Sequence, residues 1–196
     1  MSKYKPTIGV LALQGDFERH QSQLTTLGIE HRAVKLPSDL ERIDGLIIPG
    51  GESTTMDLLI DRFDLRQSLK EFGRKKPVYG TCAGMIMLAS GIENNISGIS
   101  PLGLLDIDVL RNGYGRQVFS FEEEIPVSLA NGTSHVRACF IRAPRVTRYG
   151  ENVRVLASFR DEPVLVLSGS ILASSFHTEL EEEPTILRYF VRSFFQ

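Results

Sequence analysis

The sequence has few cysteines, no excess of charge of either sign and no long hydrophobic run. Its two cysteines, Cys82 and Cys139, are too few for a secreted domain held together by disulfides. Lys and Arg total 22 against 24 Asp and Glu, a formal net charge of −2, so the chain lacks the basic field that nucleic-acid binding uses. No stretch approaches the ~20 apolar residues that cross a bilayer. We therefore expect neither nucleic acid nor a membrane as a partner.

The apolar run Thr7–Leu13 follows two lysines and superficially resembles a signal peptide. It stops at Gln14-Gly15-Asp16, and no small-residue cleavage site follows. We interpret it as a buried first strand and expect a cytoplasmic protein. The length of 196 residues and the apolar content of 42% predict one domain, residues 1–196, whose core needs no disulfide or metal.

Strand and helix patterns alternate in the first half of the chain. Ile8–Leu13 is a short continuous apolar run, as expected for a strand covered on both faces, and further strands are predicted at His31–Leu36, Gly45–Ile48 and Val78–Gly80. The predicted helices cover Phe17–Leu27, a short segment from Ser38, Ser53 to about Arg74 with a break near Phe63-Asp64, and Ala83–Ser90. This order predicts a parallel sheet with right-handed crossovers. The functional site of such a sheet lies at the carboxyl ends of its strands.

The second half, from about Gly98, consists mainly of strand patterns. The predicted strands cover Leu104–Leu110, Gln117–Ser120, Ile125–Leu129, His135–Ile141, Val153–Phe159, Val164–Leu167 and Ile171–Ser175. Asn131-Gly132 is a turn signal between two of them. A final helix is predicted from Pro184, because proline suits a first helical turn and apolar residues then recur at helical spacing.

Gly80-Thr81-Cys82-Ala83-Gly84 is the sharpest local feature of the sequence. It has the G-x-nucleophile-x-G layout of a nucleophile elbow, with cysteine as the nucleophile, between a predicted strand and a predicted helix. The glycines avoid clashes in such a tight turn, the helix N-terminus favours a thiolate, and the Ala83 N–H can point at a developing oxyanion. The alternative is a buried core cysteine between ordinary turn glycines, and the flanking strand and helix favour the nucleophile.

A thiolate nucleophile needs a base and a carboxylate that orients the base. His177 and Glu179 follow the last predicted strand, and their spacing of two places both side chains on one side of an extended segment. We expect His20 and His31 to be structural or exposed, and His135 has no acidic neighbour close in sequence. The alternative for Glu179 is membership of a solvated acidic run, so the prediction depends on its combination with the elbow.

Pro49-Gly50-Gly51-Glu52-Ser53 follows the third predicted strand. A Gly-Gly pair lets backbone N–H groups approach a ligand closely. The segment lacks the Lys-Ser/Thr of a phosphate-binding P-loop, so an oxyanion donor from the Gly51 N–H fits better. Gln14-Gly15, after the first strand, is predicted either to contact this loop or to face a partner.

The remaining cysteine and the arginines carry weaker signals. Cys139 lies in the middle of a predicted strand and is expected in the core. No His/Cys/Asp cluster has metal-ligand spacing, so we expect no metal. Four arginines could suggest an anion site, although none is distinctive by itself: Arg111, Arg116, Arg137 and Arg142.

Together these residues resemble the class I (triad) glutamine amidotransferase family and, within it, the glutaminase subunits of pyridoxal 5′-phosphate synthases. The stretches that carry the resemblance occur in the same order over nearly the whole chain. They are Leu11–Gly15, Pro49–Thr54, Gly80–Gly84, Arg111–Gln117, Phe140–Pro144 and Ser175–His177. One departure is Thr178, since many amidotransferases have proline between the histidine and the glutamate, where it stiffens the pair.

The resemblance implies a role for each site residue. Cys82 is then the nucleophile, His177 the general base and then the general acid, and Glu179 the orienting carboxylate. Backbone N–H groups of Gly51 and Ala83 form the oxyanion hole. The residues implied to bind glutamine are Gly51, Glu52, Ser53, Arg111, Ile141 and Arg142. A guanidinium among them can hold the α-carboxylate in bidentate fashion.

The resemblance also implies the fold, the reaction and the partner. The fold is expected to be α/β, a flavodoxin-like three-layer sandwich with a mainly parallel central sheet and additional antiparallel strands in the second half. The expected reaction hydrolyses L-glutamine to L-glutamate and ammonia through a thioester on Cys82, without a cofactor. The ammonia is expected to pass to a separate synthase subunit that makes pyridoxal 5′-phosphate. Two alternatives stay open: a glutaminase subunit of another pathway, and a non-enzymatic redox sensor that leaves His177 and Glu179 without a role.

Overall fold

Twelve strands and five α-helices are present in the computed structural model, which describes residues 5–114, 120–130 and 132–195. In chain order they are β1 (Thr7–Leu11), α1 (Phe17–Thr26), β2 (Glu30–Val34), β3 (Gly45–Ile48), α2 (Ser53–Arg62), α3 (Arg66–Gly73), β4 (Val78–Thr81), α4 (Ala83–Leu88), β5 (Ala89–Glu93), β6 (Leu105–Leu110), β7 (Phe121–Leu129), β8 (Gly132–Phe140), β9 (Arg145–Tyr149), β10 (Arg154–Phe159), β11 (Glu162–Ser168), β12 (Ile171–Ser174) and α5 (Thr185–Phe195). Two short 3₁₀ helices cover Pro37–Arg42 and Thr178–Leu180. Within the described ranges, no helix is both long and apolar enough to cross a membrane.

A seven-stranded sheet in the order β10-β11-β12-β4-β3-β1-β2 forms the centre of the fold. The strands from β12 to β2 pair in parallel, whereas β10 and β11 pair antiparallel. Two smaller sheets, β5-β6-β9 and β7-β8, are built from the second half of the chain. The predicted mainly parallel sheet with additional antiparallel strands is therefore confirmed.

The helices cover both faces of the central sheet, and alternation along β3 shows how. Leu46 and Ile48 pack into a core with residues of α2, α3 and α4. Ile47, between them, points to the opposite face and packs with residues of α1 and α5. This period of two is the one that places successive side chains on opposite faces of a strand. The predicted three-layer α/β sandwich is confirmed.

The structure differs from the predicted elements at β5 and at β9. The helix after the elbow ends at Leu88 instead of Ser90, and Ala89–Glu93 pairs with β6 as a strand. The carbonyls of Leu88 and Ala89 accept from the chain around Leu104, so a contact distant in sequence ends this helix. Strand β9 was not predicted at all. The predicted strand Gln117–Ser120 lies, except for Ser120, outside the described residues, as does Asn131 of the predicted turn.

The carboxyl ends of four parallel strands meet at one edge of the central sheet. Gln14 follows β1, Pro49 follows β3, Cys82 follows β4 and His177 follows β12. Parallel pairing of these strands brings the segments after them together, as expected for the site of a parallel α/β sheet.

Candidate active site

Cys82 lies in the tight turn between β4 and α4. Its backbone has φ 47° and ψ −102°, on the positive-φ side that residues other than glycine rarely adopt. Its N–H donates to Ser174 O at 2.8 Å, which holds the turn against β12. A Cβ at Gly84 would lie 2.1 Å from Ile48 O, and a Cβ at Gly80 would lie 2.7 Å from the Gly84 carbonyl. Close backbone packing therefore requires both glycines of the elbow.

His177 connects the Cys82 thiol to the Glu179 carboxylate. Its Nδ1 lies 2.6 Å from Glu179 Oε1, and its backbone N–H donates to Cys139 O at 2.9 Å. Burial alone would lower the pKa of His177, but side-chain hydrogen bonds to Cys82 and Glu179 raise it to about 11. Burial would raise the pKa of Glu179, but the hydrogen bond from His177 lowers it. The site thus holds a protonated imidazole between the Cys82 sulfur and an ionised carboxylate.

His20 is fully buried on α1 and contacts the same carboxylate. Its Nε2 lies 3.5 Å from Glu179 Oε2 and 3.2 Å from Thr81 Oγ1. Burial lowers the pKa of His20, so the ring is neutral and has one N–H to donate. The sequence interpretation placed His20 as structural or exposed and missed its contact with Glu179. A signal was present, because His20 shares the inward helical face of Leu24.

Cys82 and His177 open onto a cavity of about 180 Å³. The described residues that line it are Asp16, Gly51, Glu52, Ser53, Cys82, Ile86, Arg111, Asn112, Ile141, Arg142 and His177. All six residues predicted to bind glutamine are in this group. Ala83 and Glu179 are outside it, because Ala83 is buried at the start of α4 and Glu179 lies beyond the His177 ring. Sequence reasoning missed Asp16, Ile86 and Asn112.

Glu52 and Arg111 form a charged pair at this cavity. The Glu52 carboxylate caps α2 by accepting from Thr54 N at 3.0 Å and Thr55 N at 2.7 Å. Burial would raise the pKa of Glu52, but these hydrogen bonds lower it to about 2. The Arg111 guanidinium lies 3.3 Å from Glu52 Oε1 and 2.7 Å from Ser97 Oγ. Two opposite charges with fixed positions can recognise a ligand that itself carries both charges.

The Gly50-Gly51 loop fits tightly between His177 and Gln14. A Cβ at Gly50 would lie 2.6 Å from His177 Cε1, and a Cβ at Gly51 would lie 2.5 Å from Gln14 Oε1. Gln14 Oε1 accepts from Glu52 N at 3.0 Å. Of the two predictions for Gln14-Gly15, the structure therefore places this segment in contact with the glycine loop.

The other residues considered from the sequence lie in different surroundings. Cys139 is a buried free thiol on β8, and burial raises its pKa. Arg137 pairs with Glu122 on the β7-β8 hairpin, and Arg116 lies outside the described residues. One group with metal-ligand atoms within 4.8 Å of one another does exist, formed by Asp16, His177 and Glu179. Its residues come from segments far apart in the chain, so spacing along the sequence could not reveal this group. The His177 Nδ1 is already engaged in a hydrogen bond with Glu179 Oε1.

Comparison with known proteins identifies the family. The model of the SNO glutamine amidotransferase family matches residues 10–196. The chain belongs to this family. The resemblance found in the motifs is confirmed, and it extends over nearly the whole sequence.

Relatives and solved structures are similar over comparable lengths. The pyridoxal 5′-phosphate synthase subunit PdxT of Thermosipho africanus is 48% identical over 185 residues, 94% of this chain and 96% of the relative. The corresponding subunit of Thermotoga maritima is 48% identical and covers 94% and 97%. A crystal structure of a glutamine amidotransferase has a TM-score of 0.87 at 45% identity and covers 94% of this chain and 97% of that one. PurLQS from Thermotoga maritima, with a TM-score of 0.74 at 18% identity over 97% and 99% of the chains, shares the fold.

Proposed function

We propose that this chain is a single-domain glutaminase, residues 1–196, and the glutaminase subunit of a pyridoxal 5′-phosphate synthase. It hydrolyses L-glutamine to L-glutamate and ammonia. The observation that carries the proposal is the convergence of Cys82, His177 and Glu179, from the ends of β4 and β12, beside a cavity that holds a charged pair. Family membership and the names of the relatives support the same activity.

Glutamine binding uses the charged pair and the loops around it. Arg111 binds the α-carboxylate, since a guanidinium matches a carboxylate in bidentate fashion. Glu52 stays ionised near neutral pH, because its pKa is lowered to about 2, and it faces the α-ammonium. Ser53, Ile141 and Arg142 complete the binding site, with the Gly51 backbone beside them. This arrangement extends the side-chain amide toward Cys82.

The first half of the reaction forms a thioester. The Cys82 thiolate attacks the amide carbon, and the backbone N–H groups of Gly51 and Ala83 stabilise the oxyanion. The His177 imidazolium gives its proton to the amide nitrogen, so that ammonia leaves and the γ-glutamyl thioester remains. Glu179 holds the His177 tautomer and balances the positive charge of the ring.

The second half regenerates the enzyme. Neutral His177 takes a proton from water, and the resulting hydroxide attacks the thioester carbon. The tetrahedral intermediate expels the Cys82 thiolate, and glutamic acid leaves and ionises. His177 is again protonated beside the thiolate, so one water and one glutamine have become one glutamate and one ammonia.

The acceptor of the ammonia is a synthase subunit on a separate chain. The relatives are named as subunits of pyridoxal 5′-phosphate synthase, which supports this partner. Free ammonia becomes protonated in water and loses its nucleophilicity, so release next to the acceptor has a chemical advantage. We place this complex in the cytoplasm, where the free thiols Cys82 and Cys139 stay reduced.

The two alternatives are less well supported. A redox sensor needs only an accessible thiol. This alternative therefore leaves the His177–Glu179 hydrogen bond of 2.6 Å and the Glu52–Arg111 pair without a role. A glutaminase for another pathway shares the whole site, and only the partner distinguishes it.

Isotope transfer tests both the reaction and the pathway. The chain and a pyridoxal 5′-phosphate synthase subunit are incubated with glutamine carrying ¹⁵N in the side-chain amide, a pentose phosphate and a triose phosphate. We expect ¹⁵N in the pyridoxal phosphate, detected by mass spectrometry. Glutamate release without labelled product retains the glutaminase and contradicts this pathway. The Cys82→Ala chain, supplied with the same partner, is the control and should transfer no label.

A further inference from the structure

Thr178 lies between His177 and Glu179, and its side chain contacts the strand that leads to Cys82. Thr178 Oγ1 is 2.6 Å from Tyr79 Oη, and both residues are buried. Tyr79 lies on β4, whose last residue directly precedes Cys82. This hydrogen bond therefore joins the segment that carries the base to the strand that carries the nucleophile.

Further contacts fix the two partners of this hydrogen bond. Gln23 Nε2, on α1, donates to Thr178 O at 2.9 Å. Tyr79 Oη also lies 3.5 Å from Ser174 Oγ at the end of β12. Burial raises the pKa of Tyr79, so the hydroxyl keeps its proton and can donate it to Thr178. Gln23 fixes the backbone of Thr178, while Tyr79 is the contact that fixes its side chain.

Thr178 occupies a position at which proline is also favoured. His177 is extended, with φ −87° and ψ 95°, and Thr178 is the first residue of the 3₁₀ helix Thr178–Leu180. A residue before proline is restricted to extended conformations, and proline is favoured at the first helical position. Threonine leaves its own φ free. The fixed position of residues 177–179 must then come from their contacts with neighbouring segments.

We propose that Tyr79 is a positioning residue: its hydrogen bond to Thr178 holds His177 and Glu179 in place relative to Cys82, as a rigid proline ring at position 178 would. The proposal rests on the glutaminase function given above. Glu52 and Arg111 lie on other segments, so loss of the hydrogen bond affects the chemical steps more than the binding of glutamine.

The test removes the hydrogen bond from each side, in the complex with the synthase subunit. Tyr79→Phe and Thr178→Val each delete one hydroxyl and preserve the shape of the side chain. We expect kcat for glutamate release to fall about tenfold in each, the effect of losing roughly one buried hydrogen bond, with little change in KM. The kcat of the double variant should equal that of each single variant, because one interaction can be lost only once. Tyr149→Phe, at a half-exposed tyrosine on β9, is the matched control and should keep kcat.

Thr178→Pro distinguishes positioning from core packing. In the double variant Tyr79→Phe/Thr178→Pro, the proline ring fixes φ at position 178. The kcat of this variant should return to most of the wild-type value. The proposal is overturned if both single variants keep kcat, if their losses add in the double variant, or if Thr178→Pro restores nothing. If circular dichroism shows that Tyr79→Phe does not fold, the comparison of Thr178→Val with Thr178→Pro decides, and equal kcat values contradict the proposal. No glutamate release by the wild-type complex contradicts the proposed function instead, so the two failures are distinguishable.

Discussion

His20 Nε2 lies 3.5 Å from Glu179 Oε2, the carboxylate oxygen that is not bonded to His177. The two oxygens of Glu179 thus face two histidines, of which one is protonated and one neutral. The pKa of His177 is raised to about 11 by Cys82 and Glu179 in spite of burial, and burial lowers the pKa of His20. One carboxylate therefore binds a charged ring through Oε1 and lies beside a neutral ring at Oε2.

Replacing His20 with leucine should slow the reaction without weakening glutamine binding. The change removes the imidazole that lies 3.5 Å from Glu179 Oε2 and 3.2 Å from Thr81 Oγ1, and a buried polar group that loses its polar neighbour costs about 1–3 kcal/mol. We expect kcat to fall about tenfold and KM to stay constant in steady-state assays with the synthase subunit. His20→Gln, whose amide nitrogen can occupy the position of Nε2, should keep most of the activity. Equal activities of the two variants would show that the contact with Glu179 has no part in catalysis.

Replacing Arg111 with lysine should weaken glutamine binding. Lysine keeps the positive charge but cannot bind a carboxylate through two parallel N–H groups. We expect KM for glutamine to rise about tenfold with a smaller change in kcat. Arg137→Lys, at an arginine that pairs with Glu122 on the β7-β8 hairpin, is the matched control. A KM that rises equally in both variants would contradict the assignment of Arg111.

The elbow could be predicted from the sequence because its residue types are locally required. Only glycine fits at position 84, where a Cβ would lie 2.1 Å from Ile48 O. The contact of His20 with Glu179 could not be predicted, because it joins α1 to a turn more than a hundred residues later. The same holds for the Tyr79–Thr178 hydrogen bond. Local patterns show which face of an element is buried, but they do not show which polar groups meet there.

The strands missed by the sequence interpretation have a related cause. Ala89–Glu93 continues an apolar segment that reads as helix, and its strand conformation depends on pairing with β6. Arg145–Tyr149 has only weak alternation and becomes a strand by pairing with β6 from the other side. Both strands belong to the small sheet β5-β6-β9, whose formation is a tertiary event. The parallel sheet was predicted because buried apolar runs such as Ile8–Leu13 and Gly45–Ile48 alternate with helical patterns.

Adding a methyl group at position 84 should destabilise the fold. Gly84→Ala forces the chain away from Ile48 O, and overpacking of this kind costs about 1–3 kcal/mol or more. Urea denaturation should therefore show a lower midpoint with an unchanged slope. Gly169→Ala is the control, because a Cβ at Gly169 meets open space and only its positive φ of 55° opposes the substitution. A larger loss at Gly169 would contradict the steric account of the elbow.

Glu181 should make stability depend on pH. Burial raises its pKa to about 8, so its stabilising contribution is present below the unfolded pKa and is lost as the pH rises through about 8. Glu181→Gln removes this titration. We expect the variant to have a higher Tm than the wild type at about pH 9 and the same Tm at about pH 4. Glu182→Gln, at the exposed neighbouring position, should show no such difference, and an equal response of the two variants would contradict the role of burial.

Glutamate release from L-glutamine, measured with and without the synthase subunit, tests the central claim most directly. The account predicts release by the wild-type complex and none by the complex with Cys82→Ala, in which the nucleophile is absent. Circular dichroism of both chains shows whether the variant is folded. Release that persists with Cys82→Ala, or no release by a folded wild-type chain with a competent partner, would contradict the assignment of Cys82, His177 and Glu179 as the catalytic triad.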